Sequence, residues 1–113
     1  MNTQKSFRYG LSGKFRAKEG KSDQLVAILL KAAESVSNAA GCLLYIVCQD
    51  SSDEQIIWVN EVWETKEDHD NSLHFEGIQE LISQALPLID GKPEQGIQLR
   101  VLGGLGIAGP PSE

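Results

Sequence analysis

The chain has 113 residues and a mass of 12.3 kDa, enough for one core and too short for two. Its 41% hydrophobic and 23% charged residues are those of an ordinary globular domain, and a net charge of −6 opposes binding to a phosphate backbone, which needs clustered Lys and Arg. No apolar run reaches membrane-spanning length, and Met1 to Lys5 lead into patterned sequence without a secretory signal; the expected protein is cytoplasmic and binds neither nucleic acid nor membrane.

Phe7, Tyr9, Leu11, Gly13 and Phe15 alternate with Arg8, Gly10, Ser12, Lys14 and Arg16, the period of a first strand. Ser22 is placed to cap a helix whose apolar stripe, Leu25, Leu29, Ala32, Ala33 and Val36, predicts helix from about Asp23 to Asn38. Gly41 supplies the turn after it. Cys42 to Gln49 reads as a second strand, apolar on both faces, and the polar loop Asp50 to Glu54 leads into a third, Ile56 to Trp63. On that third strand Ile57, Val59, Glu61 and Trp63 share one face and Ile56, Trp58, Asn60 and Val62 the other. Thr65 and Asp68 form a capping arrangement that opens a short helical turn through about Asn71. Ile78, Leu81, Ile82, Ala85 and Leu86 give a longer helix that closes near Pro87, and Ile97 to Leu102 alternate as a fourth strand. The tail from about Gly103 contains GGLG rather than GxGxxG and opens no helix, so it does not read as a phosphate cradle.

The order β-α-β-β-α-β predicts an α+β, ferredoxin-like single domain over residues 1–113. Helices would cover one sheet face. The second and third strands are apolar on the other face too, which predicts a homodimer closed sheet against sheet. Cys42 and Cys48, six apart on one strand, lie roughly 20 Å from each other and cannot pair. Both are expected as buried thiols, and no ligand spacing suggests a metal.

The segments Gly41 to Tyr45, Trp58 to Trp63, Glu67 to Leu73, Pro87 to Ile89 and Gly103 to Gly106, in this order, resemble the antibiotic biosynthesis monooxygenase domains, including the quinol monooxygenase-like members. The resemblance runs from about Tyr9 to Ile107. It implies a dimeric α/β barrel with one pocket per subunit between sheet and helices. It also implies insertion of molecular oxygen into an electron-rich phenol or quinol without flavin, haem or metal, the substrate carbanion supplying the electron. Relatives in the superfamily degrade haem, isomerise lactones or only bind small molecules.

His69, with a reference pKa near neutrality, is the candidate catalytic base that would deprotonate a phenol, or else a surface helix histidine between Asp68 and Asp70. Trp63 is either a large core aromatic or a stacking surface for substrate; ending its strand just before His69, it is expected beside that histidine at the mouth of one pocket. Glu61 on an apolar strand needs a partner, Arg8 or Arg100, or else faces the pocket. Tyr45 would donate to a substrate oxygen or be tethered to backbone, and His74 has the same two readings as His69. Some members carry an asparagine where this chain has Val59, and many a histidine where it has Ser72; Asn60 points to the opposite face. Two functions remain open, with haem degradation a third. The first is a cofactor-independent monooxygenase of a small aromatic or quinol substrate, either a quinol or a polycyclic phenol, with a histidine base and aromatic walls. The second is a non-catalytic dimeric barrel that binds a small apolar ligand or stabilises a larger assembly.

Overall fold

A computed structural model describes residues 7–107. Four antiparallel strands, β1 (Arg8–Arg16), β2 (Cys42–Gln49), β3 (Ile56–Trp63) and β4 (Ile97–Val101), form one sheet in the order β2-β3-β1-β4. Three helices, α1 (Ser22–Val36), α2 (Lys66–Ser72) and α3 (Glu76–Ala85), complete the ferredoxin-like α+β architecture.

Strand register decides which side chains meet the helices. Tyr9 lies opposite Trp63, Leu11 opposite Glu61 and Phe15 opposite Ile57, and Tyr45 lies opposite Glu61 from the other side. These residues therefore share the helix-covered face. On it, Leu25 of α1 packs with Ala17, Ile57, Ala85 and Ile89, and Ala32 and Val36 pack with Trp63 and Ile78. The two clusters are the two ends of one layer. The far end is tied down by the bridge between Ala17 and Ile89.

The opposite face carries Ile46, Cys48, Trp58, Asn60 and Val62, with Ile97, Leu99 and Val101 added by β4. Ile46, Ile97 and Leu99 are about half exposed, at 45%, 57% and 53%. This face therefore leaves several large apolar side chains exposed. Asn60 stands on this face and accepts from the Ser12 hydroxyl at 2.7 Å.

Local chemistry sets the ends of the elements. The Thr65 side chain accepts from the Asp68 amide at 3.0 Å, so the capping arrangement expected at α2 forms. Gly41 sits at φ +82°, and a Cβ there would collide with the Asp68 carboxylate, so this turn needs glycine for conformation and for space. Two local expectations are corrected. Ser22 is not the cap of α1: the turn through Gly20 leaves Lys21 at that position, without a side-chain cap, and Ser22 within the first turn. Nor are both thiols buried. Cys42 is half-buried, whereas Cys48, on the uncovered sheet face, is exposed. No helix among the described residues is long and apolar enough to cross a membrane.

Candidate active site

Between the sheet and the three helices lies a cavity of about 370 Å³. Its wall is apolar, aliphatic but for Phe15, except at one place, where Tyr45 of β2, Glu61 of β3, and His69 and Ser72 of α2 converge. A mostly apolar pocket with a few convergent polar groups is the usual form of a small-molecule site.

Glu61 is the anchor of the polar end. Its Oε1 accepts from the Trp63 indole N–H at 2.9 Å and lies 3.9 Å from Nε2 of His69. Burial pushes the Glu61 carboxyl up from its ordinary range, against the opposing pull of the Trp63 hydrogen bond and of His69. Burial beside Glu61 likewise pushes the Tyr45 hydroxyl well up, so Tyr45 remains a protonated donor.

His69 is held on three sides. Its ring is 5.4 Å from that of Tyr9 and edge-on to Trp63 at 5.8 Å. Its Nδ1 lies 2.9 Å from Oδ1 of Asp70. Asp70 is kept below the ordinary carboxylate range by its hydrogen bond from Lys66, at 2.8 Å, and then by His69. A carboxylate only accepts, so in the neutral imidazole Nδ1 carries the proton and Nε2, on the Glu61 side, keeps its lone pair. That is the arrangement a general base requires.

The other expected site residues are placed as follows. Trp63 is wholly buried, packed by Ala32, Val36 and Ile78, and is not part of the cavity wall; it touches His69 and reaches the site through its bond to Glu61. His74 is exposed and lies outside the cavity. Glu61 pairs with neither arginine proposed for it. Arg8, one residue from Tyr9 on β1, faces the other side of the sheet and pairs with Glu64 at 3.3 Å, while Arg100 lies over the Phe7 ring. Asp70 and Tyr9 were missed as partners of His69. Adjacency in sequence is the one signal that could have suggested Asp70, and nothing local marks Tyr9.

The sequence profile of the antibiotic biosynthesis monooxygenases matches residues 8–82. The chain belongs to the antibiotic biosynthesis monooxygenase family. Among solved structures, a candidate antibiotic biosynthesis monooxygenase from Chloroflexus aurantiacus J-10-fl is 40% identical, with a TM-score of 0.80 over 89% of this chain and 99% of that one. A second, from Nitrosomonas europaea, has the same TM-score of 0.80 at 14% identity, over 93% of this chain and 96% of that one. A conserved protein from Methanosarcina mazei Go1 reaches 0.78 at 18% identity, over 85% and 94%. At these lower identities the likeness is one of fold. No curated protein matches the chain.

Within this family frame, Ser72 is informative. It stands where the resemblance places a histidine in many members, it is 3% exposed, and its hydroxyl donates to the His69 carbonyl at 2.6 Å. The serine is thus committed to the helix backbone, and His69 is the one imidazole at the cavity among the described residues. Those residues include no group of three or more His, Cys, Asp or Glu arranged to hold a metal.

Proposed function

We propose that this family member is a cofactor-independent monooxygenase that oxidises an electron-rich phenol or quinol with molecular oxygen. The observation that carries the reading is the imidazole–carboxylate pair, His69 and Glu61, set into the wall of an otherwise apolar cavity. Loss of the phenolic proton makes the ring a far better electron donor. Nε2 of His69 takes that proton, and Asp70 holds the resulting imidazolium in place. The protonated Tyr45 hydroxyl is available to hydrogen-bond a substrate oxygen, and the apolar wall is suited to receive the reacting ring. The balance closes without a further reductant. One oxygen atom enters the ring as a new carbonyl, and the other leaves as water with the phenolic and the displaced ring hydrogen. All four electrons come from the substrate, so the reading calls for no flavin, haem or metal.

The same proposal includes a homodimer, supported by the uncovered apolar face of Ile46, Ile97 and Leu99. A second reading, a non-catalytic barrel for a small apolar ligand, is favoured by the engagement of Ser72 with backbone in place of a second imidazole.

Oxygen uptake with a panel of quinols, with products identified by mass, tests the proposal. The His69→Ala variant should turn over at least about tenfold more slowly at neutral pH, with partial recovery at higher pH as solvent ionises the substrate. Absence of uptake by the wild type on every quinol would give way to the binding reading. Full activity in His69→Ala would remove His69 as the base.

A further inference from the structure

The cavity has a direction. Its four hydrogen-bonding side chains, Tyr45, Glu61, His69 and Ser72, all stand at one end, beside the cluster of Val36, Trp63 and Ile78. At the other end the wall is Phe15, Leu25, Ala85, Ile89 and Pro93, with no side chain that donates or accepts a hydrogen bond.

Three elements bracket the cavity's length between about 10 and 16 Å. Val36 and Leu25, at the two ends of α1, are eleven residues apart, about 16 Å at the helical rise. On the sheet, Leu11 opposite Glu61 and Phe15 opposite Ile57 are four residues apart, about 13 Å along the strand. Ile78 and Ala85 of α3, one in each cluster, are separated by about 10 Å. The space is a slot roughly two to three times as long as a single ring, polar at one end only.

This shape selects among the substrates that the proposed function allows, and the selection rests on reading the cavity as the substrate site. A polycyclic phenol oxygenated at both ends would bury its far oxygen among Leu25, Ala85 and Ile89 with nothing to replace water. A single small ring would leave the aliphatic half of the slot unused. We propose that the substrate is an amphiphile. A phenol or quinol ring sits against Glu61 and His69 and carries a hydrocarbon tail, linear or isoprenoid, that runs along α1 toward Leu25 and Ile89. Leu73, Ile82 and Leu86 also line the cavity and are partly exposed, so the tail has an apolar way in along the outer side of α3.

The test is a series of hydroquinones with unbranched tails from methyl to decyl, titrated calorimetrically into the wild-type protein without oxygen. Affinity should tighten roughly fourfold per methylene and then level off once the tail reaches Ile89. A terminal hydroxyl on a tail of that length should weaken binding by at least about tenfold. Ala85→Leu, which fills the far end, should bring the levelling point to a shorter tail. If that variant fails to fold, the wild-type series and the terminal hydroxyl still decide. Affinity that ignores tail length, or a terminal hydroxyl that binds without loss, overturns the proposal. Adding oxygen separates it from the reading on which it rests. Tail-dependent binding without oxygen uptake keeps the slot and overturns the oxygenase, whereas turnover of quinols regardless of tail keeps the oxygenase and overturns the slot.

Discussion

Replacing Trp63 by phenylalanine removes one atom pair of consequence, the indole N–H that donates to Glu61 at 2.9 Å. With Glu61 ionised, that bond is charge-assisted and worth roughly 1.5–3 kcal/mol. The smaller ring, in a site with no exposure at all, leaves a void that costs about 1 kcal/mol more. The sum, about 2.5–4 kcal/mol, corresponds to a fall in Tm on the order of 10–16 °C for a domain of this size. The penalty should depend on pH. Because burial raises the native Glu61 pKa above the ordinary 4.5, the stability linked to its neutral form is fully present below that value and is lost as pH rises through the raised one. Without the Trp63 donor the native pKa goes higher still, and the loss is greater. The gap between wild type and Trp63→Phe should therefore widen from acid to neutral pH; at acid pH only a neutral hydrogen bond, about 0.5–1.5 kcal/mol, and the void remain. Urea unfolding followed by far-ultraviolet circular dichroism at both pH values measures this. A penalty under about 1 kcal/mol, or one that does not change with pH, would refute the assignment of Trp63 as the residue that holds Glu61.

The same linkage predicts that Glu61→Gln, which keeps an oxygen for the Trp63 N–H but cannot ionise, is more stable than wild type at neutral pH. The advantage should vanish below the ordinary glutamate range, as thermal melts at the two pH values would show. Asp70→Asn can present an amide donor to Nδ1 of His69 and so favour the tautomer whose Nε2 is blocked. Turnover on a verified quinol should drop at least about tenfold with Tm nearly unchanged, and an unaltered rate would dismiss Asp70 as the positioning residue. Light scattering of the wild type should give about twice 12.3 kDa. Leu99→Glu, on the uncovered face, should shift the protein toward the monomer, and a wild-type monomer at micromolar concentration would end the dimer reading.

Much of the frame was legible in the chain because periodicity is a backbone property. The alternation in Ile56 to Trp63 assigns Glu61 to one face and Asn60 to the other, and Thr65 with Asp68 fixes the start of α2 by a contact three residues long. Apolar residues on both faces of β2 and β3 show in the exposure of Ile46 on the face away from the helices. These are local signals, and neighbours along the chain suffice to make them. The site is different. Glu61 and His69 meet because β3 and α2 pack together, and Tyr9 reaches the same imidazole from a third element. Arg8 does not reach Glu61 because the antiparallel register puts it on the far side of the sheet. Trp63 is a buried anchor rather than a wall of the pocket because α1 and α3 close over it, and His74 is exposed because α2 ends before it. The cavity itself is the volume left over when every side chain of two layers has been placed. A pattern of apolar positions states which way each residue faces; only the packed structure decides which of them fail to touch, and that unfilled space is where the chemistry has room to occur.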